Sequence, residues 1–192
     1  MTSLRHSPSS PDSPQDAYLD AARACLLDVG WRRTTLTEVA RRAGVSRMTI
    51  YRTWADMPTL LGDLMTREWT GVVATTADAE GLVDRMVATV RALRANELFV
   101  RIVEVDPELV LPYLLARRGR SQDLILSLAE AAIVEGQAAG EIRQGNPTAI
   151  ARALVLTAHG FVLSAHTMVD DRVSEAELDD ALALVLTRTL AP

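Results

Sequence analysis

An all-α fold, with an N-terminal three-helix head and a longer C-terminal helical body, is predicted by three features of the sequence. Apolar residues recur at three- and four-residue spacing over most of the chain from residue 13 to residue 190. No segment sustains the two-residue alternation of a half-buried strand, and no Asn-Gly or Asp-Gly dipeptide marks a hairpin. The 192 residues suffice for one ordinary domain or two small ones, with a core that needs neither disulfide nor metal. Cys25 is the single cysteine, which excludes an internal disulfide framework and any multi-cysteine zinc or iron–sulfur site.

Residues 1–14 are rich in Ser and Pro and lack the apolar run of about 7–15 residues that a secretory signal requires, so they read as a flexible tail. Within that stretch Ser13-Pro14 supplies an N-cap and a first-turn proline. Apolar residues then follow at 18, 21, 22, 25, 26 and 29, one face of a helix that Gly30 ends. Cys25 falls on that face and reads as a small core residue. Thr35-Leu36-Thr37-Glu38 has the form of a capping box, opening a helix that runs to Ala43 and stops at Gly44. A short helix is expected over 45–53, and Asp56 caps a longer one that tolerates Pro58 in its first turn. Further helices are expected over 80–95, 97–105, 107–117, 121–139 and 147–168. Ser174-Glu175-Ala176-Glu177 is a second capping box, opening a terminal helix to residue 190. The expectation is about nine helices. The apolar stretch 150–169 is interrupted by Arg152, His159 and His166, which favours a buried helix over a membrane span and a cytoplasmic protein.

Charge is distributed unevenly. The chain carries 20 basic and 25 acidic residues for a net charge of −5, which by itself disfavours a nucleic-acid partner. Every basic residue is arginine, so any charged phosphate contact must come from a planar guanidinium. Residues 31–52 hold six arginines (32, 33, 41, 42, 47 and 52) against one acid, Glu38, a local balance of +5. Residues 1–60 sum to +2 and residues 61–192 to −7. The basic segment coincides with two short helices joined at Gly44, a helix-turn-helix arrangement. Leu36, Val39, Ala40 and Ala43 give the first of these helices one apolar face, and Val45, Ile50 and Trp54 face it from the second. Arg47, Met48, Thr49, Tyr51, Arg52 and Thr53 are left for the exposed side, where such groups suit phosphate and base-edge contact.

The run Thr34-Thr35-Leu36-Thr37-Glu38-Val39-Ala40-Arg41-Arg42-Ala43-Gly44-Val45-Ser46-Arg47-Met48-Thr49-Ile50-Tyr51 resembles the DNA-binding head of the TetR family of transcriptional regulators. The resemblance implies a helix-turn-helix DNA-binding domain over 15–57 and a ligand-binding and dimerisation domain over 58–192. It implies that Thr35 and Thr37 begin the helix that crosses the DNA backbone, and that Arg47, Met48 and Thr49 read base edges. Tyr51, Arg52 and Thr53 fall at phosphate-contacting or groove-facing positions. Met57 departs from the family pattern, which places a phosphate-binding lysine at the start of the fourth helix. Main-chain N–H groups there remain the other means of holding that phosphate.

For the body, the resemblance implies a repressor that binds a pseudo-palindromic double-stranded operator as a homodimer and is released by a small-molecule ligand. Trp69, Met86, Phe99, Tyr113, His159, His166 and Met168 are the candidate pocket residues. The helix over 147–168 is apolar almost all round and must bury more than one face. Leu154, Phe161 and Val162 on it, with Leu178, Leu182 and Val185 on the terminal helix, are the candidate dimer contacts. His159 and His166 stand seven residues apart, about 10.5 Å along a helix, too far to share one metal ion. No metal site or cofactor is expected. No phosphate loop, GxSxG or HExxH supports an enzyme. The alternative is a helical interaction module with a non-functional head.

Overall fold

A computed structural model describes residues 13–192, so residues 1–12 of the expected tail lie outside the described part. The described residues form ten α-helices. Among the described residues there is no strand, only an isolated antiparallel bridge between Asp170 and Val173. The chain divides into two packing units, one ending at Leu64 and one beginning at Met65.

The first unit starts with α1 (Pro14–Val29). Ser13 accepts the Asp16 N–H through its hydroxyl, and Gly30 closes the helix at φ +79° by donating to the Leu26 carbonyl. A 3-10 turn over Trp31–Arg33 leads to α2 (Leu36–Arg42) and α3 (Arg47–Thr53). The capping box expected at α2 is only half formed. The Thr35 hydroxyl accepts the Glu38 N–H, but the Glu38 carboxylate turns to Arg41 instead of returning to the Thr35 main chain. A charge-assisted pair outcompetes a neutral N–H for that carboxylate. α3 begins two residues later than expected, with Ser46 as its cap: Ser46 Oγ accepts the Thr49 N–H at 3.1 Å. Between the two helices Gly44 adopts φ +69°, a conformation costly for residues with a Cβ, and the Val45 N–H reaches the Ala40 carbonyl. α4 (Met57–Thr75) follows, capped by Asp56, whose carboxylate accepts the Thr59 N–H at 2.8 Å.

The second unit contains α5 (Gly81–Arg94), α6 (Glu97–Val105), α7 (Leu111–Leu115), α8 (Arg120–Ala139), α9 (Pro147–Ser164) and α10 (Glu175–Leu190). The single helix expected over 107–117 is broken into a 3-10 turn, Pro107–Leu109, and the five-residue α7. Pro112, in the interior of the expected helix, lacks the N–H that a continuous helix would need. The helix expected to 168 ends at Ser164 and tightens into a 3-10 turn, Ala165–Thr167. The second capping box forms in full, with Ser174 and Glu177 satisfying each other's main-chain donors.

α9 is the centre of this unit, packed against α5, α8 and α10. Ile150, Ala151 and Leu154 of α9 share one cluster with Val87 and Val90 of α5, Ile133 of α8, and Leu182 and Leu186 of α10. The inward face of α10 includes an acid. Asp179, Leu182, Leu186 and Leu190 are buried, while Ala181 and Val185 are exposed. The reason is an ion cluster: Asp179, 4% exposed, accepts from Arg91 Nε and from an Arg94 Nη, each at 2.6 Å. Two guanidinium bonds from α5 set which side of α10 faces inward.

This cluster generates a stability prediction. Asp179→Ala leaves the largely buried Arg94 guanidinium without its acceptor and costs about 3–5 kcal/mol, the range for breaking a buried pair from one side. A urea titration of the variant should show the lowered midpoint. A variant as stable as the parent would mean that the pair contributes nothing.

Candidate nucleic-acid interface

A seven-residue helix is too short to persist in water by itself. α3 is held by Ile50, which is fully buried, and by Trp54 at its C-terminal cap. The Trp54 indole lies edge-on to Tyr18 of α1 at 6.3 Å and donates through Nε1 to the Asp63 carboxylate of α4 at 2.7 Å. With that side anchored, Arg47, Met48, Tyr51, Arg52 and Thr53 are exposed and Thr49 is half-buried. Thr35 and Thr37, at the start of α2, are exposed as well. The structure thus brings the residues singled out on α3 onto one accessible surface.

The arginines of the head are not equivalent. Arg41 is bidentate on Glu38, which holds that carboxyl below its ordinary range chiefly through the hydrogen bond. Arg42 pairs with Asp28 of α1, and Arg33 donates to the Val29 carbonyl. Arg47 and Arg52 have no acidic partner among the described residues, so their guanidinium groups are available to an external anion. Cys25 behaves as expected of a core thiol, 1% exposed, with burial raising its pKa.

The start of α4 offers less to a phosphate than its sequence suggested. Pro58 has no N–H, Thr59 donates to the Asp56 carboxylate, and Leu60 donates to the Asp56 carbonyl. Hydrogen bonding to Thr59 also keeps the Asp56 carboxyl below its ordinary range, so this cap is an anion already in place. Met57 therefore leaves the helix start without a lysine, and Asp56 occupies a donor that a phosphate would have used.

In the body, Trp69 of α4 and Phe99 of α6 stack edge to face at 5.4 Å. Met86 packs on the rim of the α5–α9 core, and Tyr113 carries the Arg117 guanidinium over its ring at 5.3 Å. His159 is half-buried, and that burial lowers its pKa. His166 and Met168 are exposed beyond the end of α9.

Two of the candidate dimer residues are corrected by burial. Leu154 and Leu182 lie at 1% and 0% exposure inside the chain's own core, with no surface left for a second copy. Phe161 and Val162 pack partly against that same core, Leu178 is half-buried, and Val185 is exposed. Sequence reasoning omitted the more accessible apolar groups, Leu156 at 70% and Leu184 at 58% exposure. Their signal was present: Leu156 lies on a helix that is apolar almost all round, and Leu184 stands two residues from both Leu182 and Leu186, hence on the opposite side of α10. Pro147–Thr167 is long and apolar enough to cross a membrane, yet only 28% of its most apolar stretch is buried within the chain.

Comparison with known proteins places this geometry among DNA-binding regulators. Residues 19–64 match the family described as bacterial regulatory proteins, tetR family. A helix-turn-helix transcriptional regulator from Mycobacterium bovis is 34% identical over 176 residues, covering 90% of this chain and 89% of the relative. A TetR-family regulator from Rhodococcus sp. superposes with a TM-score of 0.66 at 19% identity, over 93% of this chain and 98% of that one. The regulator FadR from Bacillus subtilis, solved in complex with stearoyl-CoA, gives a TM-score of 0.63 at 14% identity, over 91% and 98% of the two chains.

The buried imidazole gives a pH prediction. His159 has a folded pKa below the ordinary value of 6.5, so the unfolded chain takes up its proton more readily. Its contribution is present in full above that value and is lost as pH falls towards the lowered folded pKa. Urea midpoints measured from about pH 7.5 to about pH 5 should fall, and His159→Gln should make that fall shallower. An unchanged slope in the variant would show that His159 is not the group responsible.

Proposed function

Because the chain belongs to the TetR family of transcriptional regulators, we propose that it is a repressor that binds a pseudo-palindromic operator as a homodimer and is released by a small-molecule ligand. The observation that carries this reading is α3, anchored through Ile50 and Trp54 and presenting the unpaired Arg47 and Arg52 outward. In a helix-turn-helix the second helix enters the major groove, and paired heads read half-sites about 34–36 Å apart or a multiple of that spacing. Such a regulator acts in the cytoplasm, where the DNA is.

Dimerisation is supported by Leu156, Leu184 and Val185, exposed on the two C-terminal helices, and by the half-buried Phe161 and Val162 of α9. A second copy of α9 and α10 removes that surface from water. Trp69 and Phe99 are the aromatic pair best suited to line a ligand cavity in the body, with the half-buried His159 as a polar group. The stearoyl-CoA complex of the Bacillus subtilis regulator supports a ligand-holding role for a body of this fold. Helix α4, continuous from Met57 to Thr75, provides the covalent link between head and body. Release requires that the ligand bind more tightly to a body conformation whose heads do not match the operator.

Selection of binding duplexes from a random pool by the purified protein should return a two-fold symmetric consensus. On that duplex Arg47→Ala weakens binding by about 1–3 kcal/mol and relaxes base preference at one position of each half-site. Affinity of the parent falls steeply with added salt as phosphate counterions are released. A pool that yields no consensus would leave the helical interaction module as the better reading. Leu156→Asp places a charge on the proposed interface and should convert the protein to a monomer in sedimentation experiments, with weaker operator binding. A dimer that persists in this variant would place the interface elsewhere.

A further inference from the structure

Successive residues of α3 are displaced by about 100° around its axis. With the buried Ile50 taken as the inward direction, Met48 and Arg52 lie about 160° and 200° away, at the middle of the outward face. Arg47 and Tyr51 lie at about 60° and 100°, on one flank. Met48 is 76% exposed and belongs to the first turn of the helix, the part that approaches base edges in a helix-turn-helix. The neighbouring hydroxyls are already engaged. Thr49 Oγ1 shares a hydrogen bond with Ser46 Oγ at 2.9 Å, and Thr53 Oγ1 donates to the Thr49 carbonyl at 3.2 Å.

A thioether has no donor and only a weak acceptor, so Met48 has little means of reading the polar pattern of a base pair. The major groove carries one apolar feature it can complement, the C5-methyl group of thymine. We propose that Met48 determines operator specificity by recognising a thymine through that methyl group. The assignment rests on the DNA-binding reading of α3. The free guanidinium of Arg52, one turn further along the same face, supplies the charged contact beside it.

The test uses the full chain and the duplex selected as above. Each thymine of the consensus is replaced in turn by deoxyuridine, which lacks only the methyl group. At one symmetry-related pair of positions the parent protein should lose about fourfold in affinity for each methyl removed. Met48→Ala should bind the thymine and uracil duplexes equally, and Met48→Leu should regain the preference for thymine. Uracil substitution that costs the parent and Met48→Ala the same at every position overturns the assignment, as does a consensus without thymine, while specific DNA binding stands. Failure of the protein to select any duplex overturns the DNA-binding reading and this assignment together.

Discussion

The interface on α3 depends on burial at one end and one side of a helix too short to stand alone. Ile50 and Trp54 supply the apolar anchor, and Asp63 accepts the indole N–H that burial would otherwise leave unpaired. Tyr18 meets the same indole from α1, so three helices of the head converge on one side chain. This arrangement decides which arginines point outward. Arg41 and Arg42 lie within reach of acids on α1 and α2, whereas Arg47 and Arg52 emerge on the unopposed side of α3.

The body solves a different problem. α9 is apolar around most of its circumference, and α5, α8 and α10 cover only part of it. Burying Leu154 in the chain's own core leaves Leu156 facing out two residues later, because positions two apart lie about 200° apart around a helix. The Asp179 cluster then rotates α10 so that Leu184 and Val185 also face outward. An internal ion pair thus sets the surface available for pairing, which links the energetics of the core to the assembly proposed for the molecule.

Net charge was a poor guide to partners, since an acidic chain carries a basic segment in which the exposed Arg47 and Arg52 share one short helix. The start of α4 adds no cation to that segment: Met57 stands there, and the Asp56 carboxylate already accepts the Thr59 N–H.

Much of the fold was legible in the sequence because helix boundaries are set by chemistry within about four residues. Ser13, Thr35, Asp56 and Ser174 all accept the main-chain N–H that their spacing indicates. The basic segment and the residues of α3 could be read in the same way. Tertiary structure alone decided that Glu38 pairs with Arg41, that Leu154 and Leu182 belong to the core, and that Asp179 lies on the inner side of α10. An acid three residues before Leu182 and seven before Leu186 was the available signal, but its arginine partners lie 85 and 88 residues away. Local hydrogen bonds start and stop a helix, whereas its rotation is set by whichever distant groups can satisfy the charges and surfaces it brings inward.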